Sequence, residues 1–457
     1  MNSLTAATLL AILLGALAPA APAHASPISA HAMVHSCCTP SPMKERIFAE
    51  AKAVGASYIR VDVELDAIFG DVGGAKRDES DWSGLDEVVA LSRKHRLPVL
   101  GILLAPPGYV SSCPDRWPDT ARCPVADTEE YGRLAGEVAK HAAPAISHWE
   151  IGNEPDGDWA FEGTPEDYAA MLSAAHDGIK AGTPGAKVVF GGLMNPAARG
   201  WLDRVFATPG ADAIHKFDIA NAHLRGPADM VVRRYPEFRA DLAARGFRGP
   251  VWVTEHGYSA DPTFQVDPLF NRGEASQASY LTYSLVGLAE VGAPQVFVTL
   301  RDNEDLSGDY TNEGLVRIDE SSGETTARRP SFAAVRRLAR DWSQIIAWRR
   351  EQREHERAAR KYQSDAAISV AATREWRALY RAARLRVHAL QDALARPRRS
   401  AAARRRLERR VARARAVLAG RRAGLLWHGA FARHWRERAK QEAFIAYALS
   451  RRIAGAG

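Results

Sequence analysis

Eight short apolar segments alternate with helical segments between residues 28 and 342, and this alternation restricts the fold more than any other feature. The predicted strands span residues 29–35, 57–64, 97–104, 146–152, 187–192, 218–223, 251–255 and 295–300. Several are continuous apolar runs, such as PVLGILL at 98–104, which are typical of parallel strands buried on both faces. Eight strand–helix units predict a closed (β/α)8 TIM barrel with long loops in preference to a doubly wound open sheet.

The helical segments begin with recognisable start signals. Ser41 and Pro42 precede a helix predicted for 43–54, and TPED at 164–167 places proline and acids in the first turn of a helix that continues over 168–181. Further helices are predicted for 274–291 and 330–342, and the second of these completes the eighth unit.

The charge of the chain changes sign near residue 342. The whole chain carries +7, but residues 343–457 contain 29 Lys and Arg against 9 Asp and Glu, a net of +20. Residues 1–342 contain 32 Lys and Arg against 45 Asp and Glu, a net charge of −13. Such asymmetry indicates separate domains. We therefore predict a signal peptide at 1–25, a catalytic barrel at 26–342 and a basic all-α extension at 343–457.

The first 25 residues resemble a secretory signal peptide. Residues 9–17 are apolar, prolines interrupt the run at 19–22, and AHA at 23–25 supplies the small residues of a cleavage site, although no Lys or Arg precedes the run. An uncleaved anchor is the alternative, but the run is short for a bilayer. We expect a secreted or cell-envelope-associated protein with no transmembrane span after cleavage.

Four cysteines suit an oxidising compartment and allow three pairings. We favour a bridge between Cys113 and Cys123, which would staple a flap beside the cleft. Cys37 and Cys38 would then form a vicinal disulfide or a free pair. A metal site is the less favoured alternative, because no nearby His/Cys spacing resembles a zinc motif.

Charged and polar side chains cluster where the predicted strands end, which is where the active sites of this fold lie. They are Asp62, Glu64, Asn153, Glu154, His223, Glu255, His256, Arg301 and Asp302. Glu154 and Glu255 end strands four and seven, on nearly opposite sides of the barrel mouth. Retaining cleavage of a glycosidic bond needs two such carboxyl groups about 5–5.5 Å apart.

Two segments carry a family resemblance. HWEIGNEP at 148–155 and VWVTEHGY at 251–258 resemble the strand-four and strand-seven motifs of clan A glycoside hydrolases, most closely family 39 and related bacterial extracellular polysaccharide hydrolases. The resemblance covers about residues 30–342. Supporting stretches lie at 58–62, 81–86, 300–303 and 313–316.

The resemblance implies specific roles. Glu154 would be the acid/base and Glu255 the nucleophile, while Asn153 would bind the sugar 2-hydroxyl. Arg60 would lie near Glu255 and keep it ionised. His223 and Tyr258 would orient the nucleophile or bind sugar. No cofactor or metal is required.

One departure concerns strand eight, where clan members often place an aromatic platform and this chain has FVTLRD at 297–302. Arg301 and Asp302 are therefore predicted to make polar sugar contacts instead. Glu150 is interpreted as a buried, paired structural carboxylate. Loop aromatic residues could also hold sugar or anchor their loops, namely Tyr109, Trp117, Trp159, Phe161 and Phe264.

The basic extension has coiled-coil-like apolar spacing. Steps of four and three residues connect Trp376, Tyr380, Ala383, Val387, Leu390 and Leu394, and again Leu407, Val411, Ala414 and Leu418. RPR at 396–398 separates the two runs, so we predict an antiparallel helical hairpin with one apolar seam.

Arginines dominate the outer face of this hairpin. The extension is either a solvated appendage or an anchor for an anionic cell-envelope polymer, such as polysaccharide or lipid; sequence-specific nucleic-acid binding is disfavoured, since no readout motif is present. For the whole chain, a non-catalytic carbohydrate-binding protein and a cell-wall scaffold are the alternatives to an enzyme.

Overall fold

The computed structural model describes residues 26–70, 74–116, 120–263, 266–270, 272–302, 311–396 and 400–456. The chain divides into two compact units between Ser343 and Gln344. The predicted signal peptide at 1–25, together with Trp117 and Phe264, lies outside the described residues.

The first unit is built on eight parallel strands. They are β1 (Ile28–His35), β2 (Ile59–Glu64), β3 (Val99–Leu104), β4 (Ile146–Asn153), β5 (Lys187–Gly192), β6 (Ala220–His223), β7 (Val251–His256) and β8 (Val296–Thr299). Their order in the sheet is β5-β4-β3-β2-β1-β8-β7-β6. Backbone hydrogen bonds from Phe190 N to Ile219 O at 2.9 Å and from His223 N to Leu193 O at 2.8 Å join β5 to the β6 segment. The predicted closed barrel is therefore confirmed.

Helices lie between the strands, in the alternating order that the sequence predicts. They are α1 (Ser41–Val54), α2 (Leu65–Phe69), α3 (Ser83–His95), α4 (Thr128–Ala142), α5 (Pro165–Gly182), α6 (Arg199–Ala207), α7 (Ala228–Ala244) and α8 (Glu274–Glu290). Thr164 and Asp167 form a capping box at the start of α5, so the TPED start signal is confirmed.

The sequence missed one small element and placed the starts of β2, β3 and β6 two residues too early. A two-stranded antiparallel sheet of β9 (Val316–Ile318) and β10 (Thr325–Arg328) follows β8. Residues 218 and 219 bond to β5 but precede regular β6, because the Asp218 carboxylate accepts hydrogen bonds from Val188 N and Lys180 Nζ.

The lower part of the barrel is filled by large apolar side chains. Leu100, Trp252 and Phe297 each occupy the second position of a strand and pack with Val189 and Ile219. Polar side chains are thereby left to the carboxyl ends of the strands, where the barrel opens.

Two disulfides are present. Cys113 pairs with Cys123, as predicted, and Cys37 pairs with Cys38, which selects the vicinal alternative.

The second unit is formed by two long helices. The helix predicted to end at residue 342 instead continues as α9 (Pro330–Ala395), because no proline or glycine interrupts the chain between 331 and 395; α10 (Ala401–Ala456) follows. Tyr362 stacks on Trp435 at 5.5 Å and His355 Nδ1 lies 2.6 Å from Glu442 Oε2. These contacts confirm the antiparallel hairpin. No helix in the described part of the chain has an apolar stretch sufficient to cross a membrane.

The packing of α4 against α5 depends on glycine at a close backbone approach. A Cβ atom at Gly178 would lie 1.7 Å from the Gly132 carbonyl oxygen. We predict that Gly178→Ala lowers the free energy of unfolding by about 1–3 kcal/mol, the usual cost of forcing extra volume into a packed contact. Urea denaturation followed by circular dichroism measures it.

Gly200→Ala is the matched control, because Gly200 is also helical and has open space where a Cβ would stand. It should leave stability unchanged or raise it by up to about 1 kcal/mol. Equal effects of the two substitutions would contradict the packing argument.

Candidate active site

Glu255 is held at the mouth of the barrel between two arginines. It is the last residue but one of β7, its carboxylate is buried, and its Oε1 accepts a hydrogen bond from Arg60 Nη1 at 2.7 Å. Its Oε2 accepts a second from Arg225 Nη2 at 3.1 Å. Arg225, on the loop after β6, also donates to Glu313. Both oxygens of Glu255 therefore accept a hydrogen bond from a guanidinium. Arg60 lies beside Glu255, as the sequence predicts.

Arg60 connects three strands of the barrel. Its Nε and Nη2 donate to the two oxygens of Glu150, each at 2.9 Å, and Nη2 also donates to Asn153 Oδ1 at 2.8 Å. Glu150 is fully buried and accepts further hydrogen bonds from Gly192 N and Asn221 Nδ2. The predicted structural role of Glu150 as a paired carboxylate is confirmed.

Glu154 follows β4 in an unusual backbone conformation. Its φ is +43°, in the left-handed region that non-glycine residues rarely adopt. Such conformations cost about 1–3 kcal/mol and concentrate at functional sites. The conformation accompanies a buried carboxyl group whose Oε1 lies 2.6 Å from His223 Nδ1.

His223 reaches Glu154 across the end of an intervening strand. In the sheet, β5 lies between β4 and the β6 segment that carries His223, and Gly192 ends β5. A Cβ atom at position 192 would lie 2.0 Å from His223 Nε2. The glycine therefore provides the space that the imidazole ring occupies, and His223 Nε2 then lies 3.2 Å from Thr254 Oγ1.

The two glutamates face each other closely. One carboxylate oxygen of Glu154, one of Glu255 and a ring nitrogen of His223 all lie within 4.8 Å of one another. His223 Nδ1 is 3.7 Å from Glu255 Oε1. The structure thus brings together Arg60, Asn153, Glu154, His223 and Glu255 of the predicted site residues.

The electrostatic surroundings favour an ionised Glu255. Burial by itself would raise the pKa of this carboxyl group, but electrostatic interactions with His223, His31, Arg60 and Arg225 hold it well below its usual range. His31 on β1 is also buried beside Glu255, and burial lowers its pKa to about 3, so its imidazole is neutral. His31 Nδ1 lies 3.3 Å from Arg60 Nη1, which can only donate; the imidazole proton therefore belongs on Nε2, 3.7 Å from Glu255 Oε1.

Three predicted site residues have structural partners. Tyr258 is buried and stacks on Tyr280 with ring centroids 4.3 Å apart. Arg301 donates to the backbone oxygens of residues 32 and 33, and Asp302 accepts two hydrogen bonds from Arg329, at 2.6 and 2.7 Å. The contacts of Arg301 and Asp302 connect the segment after β8 to β1 and to Arg329 after β10. A role of the three residues in sugar binding stays a prediction.

The described loop aromatic residues differ in exposure. Phe161 is buried and packs edge-on against Tyr168, and Tyr109 is half-buried. Trp159, on the loop that follows Glu154, is 58% exposed, and its Nε1 lies 3.4 Å from Met194 Sδ. Of the loop aromatic residues named from the sequence, Trp159 is the described one with the most exposed ring.

Two groups of described side chains have atoms close enough to hold a metal ion. One is Glu154, His223 and Glu255 themselves; the other is His35, Asp62 and Glu64 at the ends of β1 and β2. In the first group, the guanidiniums of Arg60 and Arg225 already neutralise Glu255 and would repel a cation. In the second, His35 Nδ1 bonds Glu64 Oε1 at 2.7 Å, and this hydrogen bond raises the pKa of His35 to about 9.

Sequence reasoning missed several members of the site, among them His31, Asn221, Arg225, Thr254 and Glu313. His31 and Asn221 each lie between two alanines within a strand, and Thr254 follows the apolar run VWV at 251–253, so these contrasts with their neighbours could have revealed them. Arg225 and Glu313 lie in loops whose course the strand pattern does not determine. They meet only because the loops after β6 and β8 converge on Glu255.

Comparisons with known proteins agree with the barrel. A glucosidase from Croceicoccus marinus is 17% identical, with 69% of this chain and 67% of that chain covered and a TM-score of 0.50. A monomeric beta-xylosidase from Caulobacter crescentus is 18% identical, with 68% of this chain and 67% of that chain covered and a TM-score of 0.51. The chain is therefore similar in fold to two glycosidases. No protein-family model matches the chain, and neither does any curated protein sequence.

Removing Arg60 should be strongly destabilising because it leaves Glu150 buried without its counter-ion. We predict that Arg60→Met lowers the free energy of unfolding by about 3–5 kcal/mol, whereas the double variant Arg60→Met/Glu150→Met recovers about half of that loss or more. Chemical denaturation of the wild type and both variants measures the coupling.

Arg133→Met is the control, since Arg133 pairs with Glu130 on the surface. This substitution should lower the free energy of unfolding by less than about 1 kcal/mol. A double variant as unstable as Arg60→Met alone would show that the buried pair does not determine stability.

Proposed function

We propose that the barrel is a glycoside hydrolase that cleaves a poly- or oligosaccharide with net retention of anomeric configuration. The observation that carries the proposal is the close approach of two buried carboxyl groups at the barrel mouth, with oxygens within 4.8 Å. Retaining enzymes hold their carboxyl groups about 5–5.5 Å apart, whereas inverting enzymes leave about 6.5–9.5 Å for a water molecule. The separation in this chain favours direct attack by one carboxylate.

The surroundings support distinct roles for the two glutamates. Glu255, ionised between Arg60 and Arg225, is the proposed nucleophile that attacks the anomeric carbon. Glu154, bonded to His223, is the proposed acid that protonates the leaving oxygen and then the base that activates water. The 2-hydroxyl contact is assigned to Asn153, whose Oδ1 is occupied by Arg60 and whose Nδ2 is left to donate.

The charge distribution supports formation of a covalent intermediate. When Glu255 forms an ester with the sugar, it loses the negative charge that compensates two arginines. Arg60 is then still paired with Glu150, and Arg225 is still paired with Glu313. Neither guanidinium is left as an uncompensated buried charge, which would be costly.

A non-catalytic carbohydrate-binding barrel is the competing function. Such a protein has no need for a nucleophile held ionised by two cations or for a strained backbone at Glu154. These two features favour the enzyme.

We further propose that the protein is secreted or associated with the cell envelope, and that the basic hairpin binds an anionic partner there. The observation in favour is the net charge of +20 over residues 343–457. The AHA site at 23–25 and two disulfides agree with export.

Glu255→Ala should abolish turnover of an aryl glycoside identified from a substrate panel, by a factor of about 10⁴ or more, because no nucleophile remains. Azide should restore activity by binding between Arg60 and Arg225 and should give a glycosyl azide of inverted configuration. Steady-state rates and proton NMR of the product measure both effects. The surface variant Glu166→Ala is the control and should retain full activity. Near wild-type turnover by Glu255→Ala would refute the assignment.

Glu154→Gln should separate the two halves of the reaction. Substrates with poor leaving groups need the acid and should become nearly inert. Substrates with activated leaving groups should still form the intermediate and then stall, which gives a burst followed by slow turnover. Stopped-flow absorbance measures the burst.

Product stereochemistry tests the mechanism independently of either substitution. The first product of the wild-type enzyme should keep the anomeric configuration of its substrate, as recorded by proton NMR before mutarotation. An initially inverted product would overturn the retaining mechanism even if both glutamates were essential.

A further inference from the structure

Several large apolar side chains on α10 face solvent. Leu426 is 64% exposed, Phe444 is 71% exposed and Tyr447 is 62% exposed, in a helix whose seam residues Leu407 and Val411 are buried. Isolated exposed apolar side chains are common, but three large ones within 22 residues of one helix leave substantial apolar surface in water.

These side chains share a face with exposed basic residues. Steps of four and seven residues return to the same side of an α-helix. Such steps connect, in order, Arg422, Leu426, Arg433, Lys440, Phe444 and Arg451, all of them exposed. Glu437 also lies on this face and pairs with Lys440 at 3.0 Å, so the basic residues exceed the acidic one by three. Tyr447 lies three residues after Phe444 and seven after Lys440. We call this set, with Tyr447, the outer face of α10.

We propose that the outer face of α10 docks on the surface of an anionic phospholipid bilayer. Interfacial helices place apolar side chains at the boundary between headgroups and acyl chains, while Lys and Arg extend their charged ends toward the lipid phosphates. The outer face offers both components in one stripe. This inference rests on the proposal that the basic hairpin binds an anionic partner, and it names that partner.

The two components together distinguish a bilayer from other partners. A soluble polyanion would use the basic residues but would leave Leu426 and Phe444 in water. A second copy of the hairpin would bring two surfaces of net charge +20 together, which is electrostatically unfavourable. An anionic bilayer complements the charge and also removes the apolar side chains from water.

Vesicle co-sedimentation of the full-length protein tests the proposal. We expect binding to vesicles of 70% phosphatidylcholine and 30% phosphatidylglycerol to be at least about tenfold tighter than to pure phosphatidylcholine, and to weaken in 0.5 M NaCl. The triple variant Leu426→Ala/Phe444→Ala/Tyr447→Ala keeps every charge. It should lose about tenfold or more in affinity for the anionic vesicles, because less apolar area is buried. Its affinity for soluble heparin should not change.

Ile368→Ala/Leu385→Ala is the matched control, since it removes exposed apolar side chains from α9 and leaves the outer face of α10 intact. It should bind vesicles like the wild type, and circular dichroism should show unchanged helix content in all variants. Equal affinity for neutral and anionic vesicles, or full vesicle affinity in the triple variant, would overturn the proposal. Hydrolysis of a soluble substrate is measured separately, so loss of lipid binding with intact turnover would leave the glycosidase proposal standing.

Discussion

The buried guanidinium of Arg60 organises the barrel mouth. A cation at this depth is tolerable only when carboxylates and other acceptors surround it, and Arg60 has Glu150, Asn153 and Glu255 as acceptors on two other strands. Each acceptor is thereby fixed relative to the others. Because Glu150 also takes hydrogen bonds from β5 and β6, the constraint extends around half of the barrel.

The same fold gives two glutamates different environments. Glu255 is buried, which would raise its pKa, but interactions with His223, His31 and the guanidiniums of Arg60 and Arg225 hold the pKa well below the usual range. Glu154 has a histidine as its partner, and the intervening residue of β5 is Gly192, so the imidazole can reach it. Two residues of one type thus acquire different surroundings from neighbours that the barrel brings together from other strands and loops. This is how a pair of carboxyl groups can divide the roles of nucleophile and acid.

Much of this arrangement could be predicted from the sequence, and the failures have physical causes. Apolar runs and strand-end polar residues located all eight strands and the pair Glu154 and Glu255, because periodicity and rim position are local properties. Arg225 and Glu313 were missed, because their meeting depends on the paths of two loops. The end of α9 was misplaced at 342, where the change in charge indicates a domain boundary, because the residues that follow are also good helix formers.

The opposite charges of the two units bear on how the chain would use an anionic surface. Residues 1–342 carry a net charge of −13, so by themselves they would be repelled by the surface that attracts residues 343–457. At physiological ionic strength the Debye length is only about 8 Å, so each charged surface acts on what lies immediately beside it. The basic residues of α10 can therefore be attracted to lipid phosphates even though the barrel is acidic. The charges of α10 itself, and not the net charge of the whole chain, therefore decide its attraction to such a surface.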